Sequence, residues 1–163
     1  MKLILCFDCD SFHIDARDLV GSWAYWHVVV NHNQNYLGKV MLVLRRHATD
    51  VAALTPNEQA RLWSLLGEVK IALLGAFQPD HFNYAFLMNQ DTHVHLHIIP
   101  RYAQPRVFAG MTFDDGRLGE HYDLGSRIVP LELRELVALE MRSQGLDATR
   151  LREQGIGDGG VTA

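Results

Sequence analysis

The stretch from Thr92 to Tyr102 constrains the fold more than any other. It reads Thr-His-Val-His-Leu-His-Ile-Ile-Pro-Arg-Tyr. His93, His95 and His97 alternate with Val94, Leu96 and Ile98, and period-two alternation is the mark of a β-strand whose faces differ. The pattern predicts three imidazoles on one face, about 6.6 Å apart, with the aliphatic residues pressed into a core. Spaced so, all three could act on one ligand. Pro100 lacks a backbone donor, so the regular strand is expected to end near it. A random chain with nine histidines in 163 residues would hold roughly 0.03 such triplets. A row of imidazoles in a packed strand is costly without a ligand or a hydrogen-bond network. The row therefore predicts a site.

The rest of the chain must supply partners for that strand. Residues 1–22 read as a turn with a short helix. Trp23–Val30 and Lys39–Leu44 are rich in aromatic and β-branched residues, and the polar cluster Asn31-His32-Asn33-Gln34-Asn35 between them predicts an antiparallel pair. Thr55-Pro56-Asn57-Glu58 combines a cap, a first-turn proline and a capping-box glutamate, which predicts a helix running to about Phe77. Leu62, Leu65, Leu66, Val69, Leu73 and Leu74 recur at helical spacing as its buried face, and Trp63 is assigned to the same packing. Phe82–Met88 reads as a third strand, turned by Asn89-Gln90-Asp91 into the histidine strand. Arg106–Asp123, with three glycines, predicts an ordered covering loop. Leu133, Leu136, Val137 and Met141 predict a second helix opened by Pro130 and acidic residues. One domain over 1–145 is expected, with a tail over 146–163 that is partly disordered.

Composition removes several classes of function. Net charge is −4, with 48% hydrophobic and 21% charged residues. No basic field suits nucleic acid or an anionic membrane, and the Arg45-Arg46 pair is too short for a polybasic patch. No apolar run approaches a membrane span. The N-terminus does not read as a signal peptide, so a cytoplasmic location is the expectation. Cys6 and Cys9 form a C-x-x-C pair in a reducing compartment, open to metal binding, redox chemistry or burial as free thiols.

A neutral imidazole offers one ring nitrogen as nucleophile or metal ligand. Two chemistries suit three of them. All three could hold one catalytic metal, or one could attack phosphorus while its neighbours position it.

His93-Val94-His95-Leu96-His97-Ile98-Ile99 matches the His-φ-His-φ-His-φ-φ signature of the histidine-triad (HIT) superfamily of nucleotidyl hydrolases and transferases, and Pro100-Arg101 continues it. Further segments are similar to family segments. Asn35–Val43 resembles its Pro-Gly-His-φ-φ-φ stretch, Arg45-Arg46-His47 its Lys-Arg-His, and Leu54–Glu58 its Leu-Thr-Asp-Glu helix start. Cys6-x-x-Cys9 resembles the pair of its zinc-binding members. The resemblance covers roughly residues 6–102.

It implies an α+β fold, an antiparallel sheet with packed helices, and a homodimer. It implies cleavage at the α-phosphate of a nucleotide substrate, dinucleoside polyphosphates among them, through a nucleotidyl-histidine, with no organic cofactor. A nucleoside phosphoramidase, a phosphorylase-type transferase and a non-catalytic nucleotide-binding protein are the alternatives. Carried over residue by residue, His95 is the nucleophile, His97 contacts phosphate oxygens and sets the His95 tautomer, and His93 completes the triad. Asn31 falls at a ribose contact, and Gln90, with Asn89 beside it, at a leaving-group contact. Cys6, Cys9, His47 and His93 fall on the ligands of a closed structural zinc site. Two departures bear on substrate. Lys39 stands where the family has a histidine, keeping a charge for phosphate, and Asn89-Gln90-Asp91-Thr92 is shorter than the usual lead-in. Arg117 and His121, beyond the matched region, read as loop residues.

Overall fold

The computed structural model describes residues 1–5 and 13–146. Its centre is a five-stranded antiparallel sheet in the order β3-β4-β5-β7-β6. These strands are β3 (Leu19–Ser22), β4 (Trp26–Val30), β5 (Val40–Leu44), β6 (His81–Ala85) and β7 (His95–Arg101). Register makes the two faces different. Val28, Leu42 and Leu96 lie side by side, as do Val30, Val40 and Ile98, and all six are buried in one core. The next row, Val29–Met41–His97, faces the other way, as does His27–Val43–His95.

Two helices close the core face. Helix α1 (Pro56–Phe77) starts as predicted: Thr55 Oγ1 accepts from the Glu58 amide, and the Glu58 carboxylate accepts from the Thr55 amide. Glu58 also takes Arg46 at 2.6 Å, which gives that arginine a local role. Leu62, Leu65, Val69 and Leu73 are buried. Trp63 is not: it is 62% exposed, and Leu74 41%. One residue past Leu62 is a 100° turn of the helix, enough to carry even a tryptophan off the buried stripe. Helix α2 (Leu131–Ser143) buries Leu133, Val137, Ala138 and Met141. Leu136, expected on that face, is exposed while Ala138 packs inside.

The N-terminus departs from the expected turn and helix. Strands β1 (Lys2–Ile4) and β2 (His13–Asp15) pair antiparallel, a 3₁₀ turn follows over Ala16–Asp18, and β3 joins the sheet. Strands of three or four residues are too short to show a period. Trp23–Tyr25 form the turn between β3 and β4, where the Trp23 amide donates to the Trp26 carbonyl, so β4 starts at Trp26 rather than Trp23. The covering segment after β7 contains a hairpin, β8 (Arg106–Phe108) and β9 (Met111–Phe113). Ala109 and Gly110 make its two-residue turn with φ of 48° and 75°, the left-handed pair that a tight hairpin requires.

Strand β7 starts at His95, not at Thr92. His93 and Val94 precede it, and Val94 pairs instead with Ala48 and Leu44. Pro100 lies inside β7, opposite Phe82. The register with β5 ends at Ile98, so the missing amide interrupts nothing on that side. Leu146 is buried, and the tail beyond it lies outside the described residues. Among the described residues no helix is long and apolar enough to cross a membrane.

Candidate active site

The sheet face turned away from the helices opens into a cleft of about 610 Å³, into which His95 and His97 project. Their hydrogen bonds run in one direction. His95 Nδ1 lies 2.7 Å from the His93 carbonyl, which can only accept, so Nδ1 carries the proton and Nε2 the lone pair. His95 Nε2 lies 3.1 Å from His97 Nε2, so that contact is donated by His97. His97 Nδ1 must then accept, and Asn31 Nδ2 stands 3.4 Å away. The Asn31 amide is oriented for this, because its Oδ1 takes the Asn33 amide at 2.8 Å. The chain Asn31 to His97 to His95 to the His93 carbonyl sets both tautomers without a charged group. Burial pushes His97 down to about 3, with His95, Lys39 and His32 adding to the effect, so it is neutral near pH 7.

His93 takes a different place from the one its spacing suggested. Its ring is buried, Nε2 donates to the Leu44 carbonyl at 2.6 Å, and it meets His47 edge-on with centroids 5.5 Å apart. The three imidazoles therefore do not converge. His95 and His97 work as a pair, and His93 acts on them through its main-chain oxygen. The reason is backbone: His93 precedes the regular strand, so strict alternation does not reach it. Of the expected zinc ligands, His47 and His93 are adjacent, with His93 Nδ1 as that ring's acceptor nitrogen. Those two fit half of a four-ligand set. Cys6 and Cys9 lie outside the described residues, and among the described residues no three candidate ligands cluster.

Lys39 is brought in by the turn before β5. Gly38 has φ 78°, its amide donates to Gln34 Oε1, and a Cβ there would meet Phe77 at 2.8 Å. Lys39 is thereby buried beside the histidine pair, with Nζ 3.4 Å from Asn35 Oδ1, and burial lowers its pKa. Asn89 and Gln90 also line the cleft, exposed, after Met88 turns the chain at φ 43°. All seven predicted catalytic and substrate residues except His93 thus border one cleft. Arg117 and His121 do not; both are exposed.

Three things were missed. The Asn33–Asn35 turn anchors a distant segment: Asn33 Nδ2 donates to the Gly125 carbonyl, Asn35 Nδ2 to that of Asp123, and Arg127 N to Asn33 Oδ1. That sets Leu124 at the cleft. Arg101 of the triad strand is fully buried, held by Asp115 through two bonds of 2.6 and 3.0 Å, and so ties down the covering segment instead of facing the cleft. Asp18 and Arg134 meet in the cleft wall from the 3₁₀ turn and α2, 3.1 Å apart. They are 116 residues apart in the chain and carry no local signal; a charge beside a buried stripe, as in Leu133-Arg134, is the nearest thing to one.

The HIT domain profile matches residues 17–104, more than half of the chain. No curated protein matches the sequence. A histidine triad (HIT) protein from Sinorhizobium meliloti superposes with a TM-score of 0.64 at 21% identity, over 82% of this chain and 97% of that one. Diadenosine triphosphate hydrolase of Plasmodium falciparum, in complex with cyclomarin A, gives 0.58 at 19% over 88% and 82%. A zinc-bound histidine triad family protein from Mycobacterium smegmatis gives 0.56 at 15% over 86% and 89%. At these identities the likeness is one of fold. With the profile matched across all five strands of the sheet, the histidine strand included, this chain belongs to the HIT, or histidine-triad, family.

Proposed function

We propose that the protein is a nucleotidyl hydrolase acting at the α-phosphate of a nucleoside phosphate derivative, with dinucleoside polyphosphates as the substrate class. One observation carries the reading: His95 is held with its proton on Nδ1 and its lone pair on Nε2, facing the cleft and His97. When a substrate phosphate arrives, the His97 Nε2–H turns from His95 to a phosphoryl oxygen. The His95 lone pair is then available to attack phosphorus. The N–P bond forms as the bond to the leaving phosphate breaks, and the imidazole charge is stabilised through Nδ1–H by the His93 carbonyl. Water then attacks phosphorus and gives up a proton to bulk solvent, the N–P bond returns its electrons to Nε2, and the mononucleotide leaves. Lys39 supplies positive charge beside the phosphate. Asn31 holds His97 and binds ribose, and Asn89 and Gln90 meet the leaving group. The structural likeness to a diadenosine triphosphate hydrolase supports the substrate class.

The test is a chemical one. Diadenosine triphosphate is mixed with the protein, quenched at alkaline pH and analysed by mass spectrometry. A nucleotidyl adduct on His95, absent in His95→Ala, is expected. Turnover with no adduct at His95 would sink the mechanism. Adding inorganic phosphate separates hydrolase from phosphorylase, since only the latter yields a nucleoside diphosphate. Lys39 and the short lead-in favour a second reading, a nucleotide-binding protein without turnover, in which His95→Ala binds as tightly as the wild type and neither releases product.

The same reading includes structural zinc on Cys6, Cys9, His47 and His93, supported by the His47–His93 contact and by the zinc-bound relative. Bound, it would brace the entry to the catalytic strand; His95 and His97 stay outside the set. Metal analysis should find zinc retained in His95→Ala and lost in Cys9→Ala. It also includes a single domain over 1–145 in the cytoplasm, and a homodimer. The dimer reading is supported by Trp63, Ile71 and Leu74, exposed within about a quarter turn of one another on α1.

A further inference from the structure

The cleft extends well past the histidines. Across the sheet face, His97, Met41, Val29 and Leu19 stand in register on β7, β5, β4 and β3. Three strand spacings of about 4.8 Å put Leu19 roughly 14 Å from His97. Asp18 precedes Leu19, and Arg134 reaches the same wall from α2. Asp18 is 5% exposed. The two form an ion pair at 3.1 Å, yet Asp18 Oδ1 and Arg134 Nε, both shielded from water, lack an aligned hydrogen bond. A shielded ion pair without an aligned hydrogen bond is costly, and both of its residues border the cleft, where a ligand can complete their bonding. Burial pushes the Asp18 carboxyl up to about 6 even against the pull of Arg134. The floor between this pair and the histidines is apolar, made by Met41 and Val29 with Ile14 beside them.

We propose that Asp18 and Arg134 read the hydrogen-bonding edge of the substrate's base and select guanine. The proposal rests on the nucleotide reading above. A nucleotide with phosphorus at His95 and ribose at Asn31 sends its base along the Met41–Val29 floor toward the pair. A carboxylate there only accepts and a guanidinium only donates. Guanine presents N–H donors at N1 and N2 next to the acceptor O6, so both groups are satisfied at once. Adenine reverses the order, with a bare N1 toward the carboxylate and an amino group toward the guanidinium.

Binding of GMP and of AMP to the full-length wild-type chain, measured separately by calorimetry, tests this without any variant. GMP should bind roughly ten- to a hundredfold tighter, the scale of a bidentate base contact. Equal binding, or preference for AMP, overturns the guanine assignment and leaves the nucleotide reading standing. Binding of neither overturns both. In Arg134→Met, checked for an intact melting transition, the preference should collapse toward unity through a loss of GMP affinity, with no loss of AMP affinity. Equal weakening of both nucleotides would make Arg134 a structural tie between α2 and the 3₁₀ turn, and would overturn its role as a reader.

Discussion

His97 is kept neutral by its surroundings, and that has a consequence for stability. In the folded chain it resists protonation down to about pH 3, whereas an unfolded histidine takes a proton near 6.5. Between those values the unfolded state binds more protons, so stability falls as pH drops through the window and is whole above it. His27, whose Nδ1 meets Ser22 Oγ at 2.8 Å, is lowered to about 4 by burial, with Arg45 and His93 adding, and acts in the same direction. Asp18, held at about 6 against 3.8, acts oppositely between those two values. Thermal midpoints taken from pH 8 to pH 4 should therefore fall, and His97→Gln should fall less steeply than the wild type. Parallel curves would remove His97 from the account.

At the scale of elements, the start of α1 and the turn into β5 stand in different relations to the site. Thr55→Ala removes one half of the capping box and should cost about 1 kcal/mol in chemical denaturation. Its effect on catalysis should be small, because the cap lies on the helix side. Gly38→Ala is the contrasting case. It forces a Cβ against Phe77 at a φ of 78°, next to Lys39. A loss of roughly 1–3 kcal/mol is expected, together with weaker nucleotide binding, since the same turn sets Lys39 beside His97. If Gly38→Ala melts earlier yet binds as well as the wild type, Lys39 does not depend on the turn as described.

For the whole molecule, the buried Arg101–Asp115 pair joins the triad strand to the covering segment. Arg101 also donates to Asn83 Oδ1 and to the carbonyls of Arg117 and Glu120, and lies 5.0 Å over the Tyr36 ring. Arg101→Met would leave Asp115 buried without its partner, a loss of about 3–5 kcal/mol readable in urea unfolding. The double replacement with Asp115→Leu should recover part of it, whereas a loss under 1 kcal/mol in Arg101→Met would mean water reaches the carboxylate. Association is the other whole-molecule property. Trp63→Glu should turn a dimer into a monomer in sedimentation at unchanged helix content; a wild type that sediments as a monomer at high concentration ends that reading.

Sequence alone determined whatever depends on neighbours along the chain. The alternation of His95 to Ile98, the capping box at Thr55 and Glu58, and the polar turn between β4 and β5 are backbone periodicities and local bonds, so they are visible in one dimension. The family followed from the same stretch. Tertiary structure decided the rest. It turned the His93 ring away from its neighbours, because regular pairing begins two residues later. It put Trp63 outside, and it drew the three short N-terminal strands, which have no period to read. It brought Asp18 to Arg134 and Asn33 to Arg127 across most of the chain. Such contacts depend on which faces pack together, and a sheet and two helices settle that jointly; no single segment carries the information.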